Sequence, residues 1–364
     1  MLQFQQSIES AQPVAAVIIS VALMLFSGFL MTRLTKLLRL PNVTAYIVAG
    51  ILIGPYCLDL VPQRIIDGTD FLSDIALAFI AFSTGEFFKL SVLKKSGMRV
   101  VWITLFEAVL ASVFVFILTY FVLRLELAFS IVLAALASAT APASTMMTIR
   151  QTGAKGDFVD TLLQVVALDD VVGLVLYSVA ISVALASLGG SGGCSFETLV
   201  KPVLLNLAAL ALGGLFGLVM KLLMPARRST DNKLIISVAL LFAFCGVCAL
   251  LDVSPLLGCM AMGTVYTNVA ENDKLFKQLG YFSPPILLLF FVRSGMNFKL
   301  DALFSASGSL NGVPLIAAGV GYFLVRIVGK YIGAWVGCAA VKKDRLVRNY
   351  LGLALIPQAG VAIG

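Results

Sequence analysis

Apolar runs of about twenty residues recur along this chain from end to end, each closed by Lys, Arg, Gly or Pro, and no other feature constrains its fold more. About 20 such residues, rising 1.5 Å each in a helix, cover the hydrocarbon of a bilayer. Inside lipid the backbone finds no water, so a spanning segment must satisfy its own amides and carbonyls. These runs are too long for barrel strands and are therefore expected to be helices. With 60% hydrophobic and 12% charged residues and a mean hydropathy of +1.02, nothing remains from which to build a soluble domain. The expected fold class is an all-α polytopic membrane protein in contact with lipid along most of its length.

The runs predict spans over 14–31, 42–58, 71–88, 100–122, 128–148, 158–187, 200–223, 234–251, 253–270, 284–298, 312–339 and 350–364. That makes twelve, the last apparently incomplete, because the sequence stops inside it at Gly364. The opening MLQFQQSIES has no basic stretch and no small-residue cleavage site, so the first span is expected to be retained. The odd-numbered loops hold 18 Lys and Arg, the even ones only Arg64, Arg124, Lys201 and Lys299. By the positive-inside rule the odd loops are cytoplasmic and the amino terminus lies outside, in a cell (inner) membrane.

This topology allows two inverted copies, 14–187 and 234–364, joined by a linking span at 200–223, as in many secondary transporters. Spans 5 and 12 then correspond. Each carries a proline and small polar residues mid-run, in LASATAPASTMMT and LALIPQAGVAIG, and both are expected to be broken helices. Thr140, Ala141, Pro142 and Ser144 mark the first break, Pro357 and Gln358 the second. Pro142 lacks an N–H and frees a carbonyl one turn earlier, while Ser138, Thr140, Ser144 and Thr145 add oxygens that suit a hard alkali cation.

Span 6 places Asp169 and Asp170 about 17 Å along a helix, close to the membrane midplane. Each costs about 2.5–3.5 kcal/mol there, which argues for function. Neighbours on a helix diverge by about 100°, so one Asp can be held in an ion pair while the other faces a cavity. Span 11 supplies Arg326 and Lys330 one turn apart as basic partners, and a Lys–Asp pair in lipid can exchange a proton near neutral pH. The alternative for Lys330 is snorkelling to the cytoplasmic interface. Glu107, early in span 4, either lines an entrance or sits near the interface. Arg293 in LLLFFVRSGMNF either pairs with a neighbouring span or snorkels.

Other chemistries find little support. Histidine is absent, which removes the usual zinc ligand. No nucleophile is followed by a paired base, and Gly189 to Gly193 is an exterior loop rather than a phosphate cradle. No cofactor is expected. Basic residues are not grouped with aromatics, so nucleic acid is not an expected partner. The six cysteines are scattered, and the CGVC at 245–248 lies inside an apolar run where a thiolate would be costly. A gated channel or a membrane sensor with vestigial transport chemistry remain as alternatives to a carrier.

Several segments resemble the monovalent cation:proton antiporter-2 family with its sodium/hydrogen exchanger membrane domain: LPNVTAYIVAGILIGP, LSDIALAFIAFSTGEFF, SPLLGCMAMG, LLFFVRSGMNF, VRIVGKYIGA and, most specifically, the Asp-Asp at 169–170. The resemblance covers nearly the whole chain. It implies an inverted-repeat sodium/proton antiporter fold in which two broken helices cross, here in spans 5 and 12, within a core that moves against a dimerisation domain. It further implies a homodimer and electrogenic exchange of sodium for protons, with potassium a possible cargo. Asp170 would be the cation and proton carboxylate, and Asp169 the partner of Lys330. Many relatives carry a further cytoplasmic regulatory domain and a thirteenth span, neither of which occurs in this sequence.

Overall fold

The computed structural model describes residues 12–38, 40–90, 97–188, 196–225, 227–251, 253–270, 274–298, 309–310 and 313–358. The expected connection at Asp252, Lys299, the glycine-rich stretch at 189–193 and the last residues of span 12 lie outside them.

The chain is helical almost throughout. The helices are α1 (Pro13–Leu37), α2 (Asn42–Ile53), the short α3 (Gln63–Gly68), α4 (Phe71–Thr84), α5 (Met98–Phe116), α6 (Leu127–Ser138), α7 (Pro142–Thr152) and α8 (Asp157–Leu188). They continue as α9 (Phe196–Leu223), α10 (Thr230–Leu250), α11 (Leu256–Val269), α12 (Lys274–Phe282), α13 (Pro284–Met296), α14 (Leu315–Ala340) and α15 (Arg345–Ala354). A 3₁₀ turn, Gly85–Phe87, extends α4, and a π-helical segment, Ile117–Val122, extends α5. A two-residue ribbon, Ser309–Leu310 against Val313–Pro314, precedes α14.

Six of these helices are long and apolar enough to cross a membrane alone, and a seventh span forms if α12 and α13 are taken together. That pair is bent by 48°, where Pro284 and Pro285 remove two backbone donors and stop α12 from running on. The tenth run therefore begins earlier than its apolar stretch suggests. Three shorter apolar helices, α2, α6 and α11, have 12 to 14 residues. At 1.5 Å per residue they reach only about 20 Å, so each depends on neighbouring protein to complete its passage.

Packing sorts the helices into two groups. In one, α1, α2, α4 and α13 share a core around Ala49, Phe290 and Val292. It continues through α9, α10, α11 and α12 around Phe82, Phe244 and Met262. In the other, α5, α8, α14 and α15 close on Ile103, Val165, Ala334 and Leu351, and α6 packs on α5 and α8. Lys343, in the turn between α14 and α15, ties that turn to the start of α8 through Asp157 at 3.2 Å and the Thr161 hydroxyl at 2.9 Å. Arg293 neither snorkels nor faces lipid. It is buried in the first group, where it donates to the Ile66 carbonyl at 3.0 Å and the Ser73 hydroxyl at 3.0 Å and pairs with Asp70.

Candidate functional site

The second group is organised around the break between α6 and α7 and the carboxy end of α15. α6 ends at Ser138, and Ala139 and Ala141 are extended, with ψ of 138° and 99°. Pro142 then opens α7 in its first turn, where a missing N–H leaves no bond unmade. α15 ends at Ala354, and residues 355–358 leave the helix. The two interruptions touch, because the Ala141 amide donates to the Pro357 carbonyl at 3.0 Å. Gln358 reinforces the contact by donating to the Leu136 carbonyl and meeting the Tyr322 hydroxyl, both at 2.9 Å. Ser144 is turned into its own helix and donates to the Ala141 carbonyl at 3.2 Å.

Broken helices expose carbonyls at their carboxy ends, where about half a negative charge accumulates. Arg326 meets them. Its guanidinium is fully buried and donates to Ala137 at 3.0 Å and Ala139 at 2.7 Å on one side, and to Ile356 at 2.6 Å on the other. The expected carboxylate partner for Arg326 is thus replaced by three backbone oxygens from both breaks. The planar fork of an arginine suits this better than a point charge would.

One turn further along α14, Lys330 is also fully buried. Its ammonium group lies 2.6 Å from a Glu107 carboxylate oxygen, 2.8 Å from Asp169 Oδ2 and 3.0 Å from Thr140 Oγ1, and it donates to the Ser138 carbonyl as well. Thr140 in turn donates to Asp169. An amine held by four oxygens at zero exposure does not snorkel. Glu107 belongs to the same cluster. It is wholly buried, neither at an entrance nor at the interface as its place in the sequence suggested.

A stripe of glycines brings Glu107 there. Gly329, Gly333 and Gly337 recur every fourth residue of α14, and a Cβ built on them would fall 2.8, 2.5 and 2.9 Å from the Cα atoms of Ala111, Glu107 and Ile103. Backbones of α5 and α14 therefore touch, as small residues every fourth position allow in membranes. The spacing is present in VGKYIGAWVG, and it is the signal by which span 4 could have been placed beside Lys330.

Asp170 stands apart from this network. It is 3% exposed, and its Oδ1 has no hydrogen-bond partner among the described residues. With Asp169 engaged by Lys330, the 100° between adjacent helical positions turns Asp170 elsewhere. Three carboxylates and two basic groups leave the buried cluster with one net negative charge when all are ionised. A monovalent cation or a proton would neutralise it.

Six or seven apolar spans, with the break after α6 meeting the end of α15 over buried charges, define a polytopic membrane protein. Residues 19–364 match the family described as "Sodium/hydrogen exchanger, transmembrane", and the chain belongs to that family. Its fold is similar to that of the sodium proton antiporter MjNhaP1 from Methanocaldococcus jannaschii at pH 8, with a TM-score of 0.72 and 18% identity over 95% of this chain and 85% of that one. An electron-microscopy structure of the same antiporter gives a TM-score of 0.72, 18% identity, and 95% and 84% coverage. In sequence the chain is 26% identical over 293 residues to a protein named iron transporter MagA from Paramagnetospirillum magneticum. The match takes in 77% of this chain and 62% of that relative's length.

Proposed function

We propose that the protein exchanges a monovalent cation, sodium before potassium, for protons by alternating access, with Asp170 binding cation and proton in turn. The observation that carries this is the division of labour in the Asp pair: Asp169 is held through its Oδ2 by Lys330 and Thr140, whereas Asp170 has no ion pair among the described residues, and the Oδ1 of each is buried without a partner. A carboxylate already locked in an ion pair would have to break it before taking a cargo. Asp170 has no such obstacle, and a fixed buried charge is costly unless something arrives to neutralise it.

The resemblance further supports electrogenic exchange, a homodimer, a cell-membrane location with the amino terminus outside, and inverted repeats at 14–187 and 234–364. The contact of Ala141 with Pro357 fits that pairing of spans 5 and 12. A channel is disfavoured, because the charged cluster is sealed by side chains rather than strung along a wet path.

The test is exchange in proteoliposomes, following proton movement against each alkali cation with the membrane potential clamped and unclamped. Ferrous iron is included because one relative is named an iron transporter. Asp170→Asn keeps the shape but can neither hold a cation by charge nor take up a proton, so it is expected to abolish cation-dependent proton movement. Full exchange in that variant, reconstituted at wild-type yield, ends the assignment.

A further inference from the structure

Lys330 balances two carboxylates at once. Its ammonium lies 2.6 Å from Glu107 Oε2 and 2.8 Å from Asp169 Oδ2, so the two oxygens are within two contact lengths of each other. All three side chains are fully buried. The other cation of the cluster is committed elsewhere, because Arg326 gives its donors to the carbonyls of Ala137, Ala139 and Ile356. Nor are the two carboxylates equally held. Asp169 Oδ2 accepts from both Lys330 and Thr140, whereas Glu107 has the ammonium alone, and its Oε1 is buried without a hydrogen-bond partner among the described residues. Two like charges this close and out of water do not both stay ionised through a transport cycle. The less supported of them is where a proton settles.

The helices packed on α5 bring few charges to this depth. They are α6, α8 and α14. α6 has no titratable side chain, α8 brings Asp169 and beside it Asp170, and α14 brings Lys330 and Arg326. A route for a proton is present among them, since Asp169, Lys330 and Glu107 form a continuous chain of contacts. The ammonium can pass one N–H proton to Glu107 Oε2 while taking another from the Asp169 side, so that one O–H bond forms and the ammonium is restored. The cargo site controls that proton. A cation on Asp170 brings a unit charge to a distance on the order of 10 Å from Glu107, which at an effective dielectric constant of about 20 changes a proton equilibrium by roughly tenfold or more. Cation binding therefore drives the proton off Glu107, and by linkage the proton weakens cation binding by the same factor.

We infer that Glu107 is a second proton-carrying residue, ionised when Asp170 holds a cation and protonated when Asp170 holds a proton, so that two protons move against each monovalent cation. The inference rests on the exchange proposed above and assigns to one side chain the extra proton that an electrogenic stoichiometry requires. Lys330 keeps its own proton throughout, because Asp169 stays ionised beside it in both states. The cation-loaded cluster then has as many positive as negative groups. The proton-loaded one has a single positive charge in excess, and the carbonyl ends of α6 and α15 face that charge through Arg326.

The experiment finds, in proteoliposomes, the sodium gradient that stops proton flux across a fixed pH difference of one unit, with equal thiocyanate on both sides holding the membrane potential at zero. Exchange of two protons per sodium balances at about a hundredfold sodium gradient, and of one proton per sodium at about tenfold. Wild type is expected to balance near the first value, Glu107→Gln near the second, and Glu107→Asp, which keeps a titratable group, near wild type. A Glu107→Gln variant that still balances at about a hundredfold leaves the second proton on Lys330 and overturns the inference, as does a wild type that balances at about tenfold; the exchange itself stands in both cases. A wild type that moves no protons against any cation overturns the exchange and the inference with it. Sodium-induced infrared difference spectra in detergent need no turnover and decide the matter for a variant too slow to reach balance. Wild type is expected to lose protonated-carboxyl C=O absorption from two groups on sodium binding, Glu107→Gln to lose about half as much, and Glu107→Asp to show the second band at a shifted frequency. An equal loss in wild type and Glu107→Gln, with no shifted band in Glu107→Asp, overturns the inference.

Discussion

Arg326→Met removes a group that reaches carbonyls at the ends of both α6 and α15 while keeping most of the side chain's volume. Three hydrogen bonds from a charged donor are lost, to Ala137, Ala139 and Ile356. A buried acceptor left without a donor costs about 1–3 kcal/mol, so three cost on the order of 3–9 kcal/mol. The guanidinium's own desolvation, several kcal/mol, is returned when it is removed. The balance is a loss of about 3–4 kcal/mol, which at roughly 2–4 °C per kcal/mol lowers Tm by about 10 °C. Arg326→Lys is expected to fall between, because one ammonium cannot reach three carbonyls arriving from two sides. Thermal unfolding in detergent can be followed by reaction of a thiol-directed fluorophore with the buried cysteines Cys248, Cys259 and Cys338. Exposed Cys57 reacts at the outset and supplies a constant background. A methionine variant melting within about 2 °C of wild type would mean that the carbonyl ends are satisfied some other way, and the role given to Arg326 would be wrong.

Glu107→Gln leaves Lys330 with Asp169 as its remaining carboxylate; combined with Lys330→Met in a double-mutant cycle, the pair is expected to show a coupling of at least about 2 kcal/mol in unfolding free energy, and a value near zero would remove Glu107 from the cluster. Asp169→Asn is expected to retain part of the exchange with an altered pH profile or voltage dependence; complete loss at normal yield would instead make Asp169 a carrier of the cargo. Gly333→Ala would place a Cβ 2.5 Å from the Glu107 Cα, an overpacking that costs about 1–3 kcal/mol and is read as a lower Tm with reduced exchange. Gly321→Ala, whose nearest new neighbour is Leu118 at 3.8 Å, is the control expected to match wild type. Finally, if cation and proton compete for one carboxylate centre, the apparent KM for sodium falls as pH rises and then levels off, since each ligand must weaken the other by the same factor. A KM flat from acid to alkaline pH, with transport still running, would point to separate sites.

Much of the site is legible in the residue order, and particular residues say why. Lipid as solvent, helices as the only spanning form, and the placing of Asp169, Asp170 and Lys330 at membrane depth are each properties of a single segment, readable from its own length and polarity. The interruption of span 5 is legible for the same reason: Pro142 cannot continue a helix in any surroundings. Partnership is not. Glu107 reads as an entrance or interfacial residue because its depth in span 4 is a local quantity, whereas its pairing with Lys330 depends on how closely α5 and α14 approach. Arg326 reads as one end of an ion pair because charge seeks charge; the helix ends it serves come from opposite halves of the chain, and only their convergence brings three carbonyls to it. Arg293 has Asp70 and Ser73 as partners, yet α3 and α4 must fold against α13 before they can meet it. Which groups have to leave water is settled one helix at a time, and the order of residues is enough to say it. What each of them meets there depends on the assembled fold, because in a low-dielectric interior a buried charge is held by whichever oxygens the packing brings within about 3 Å.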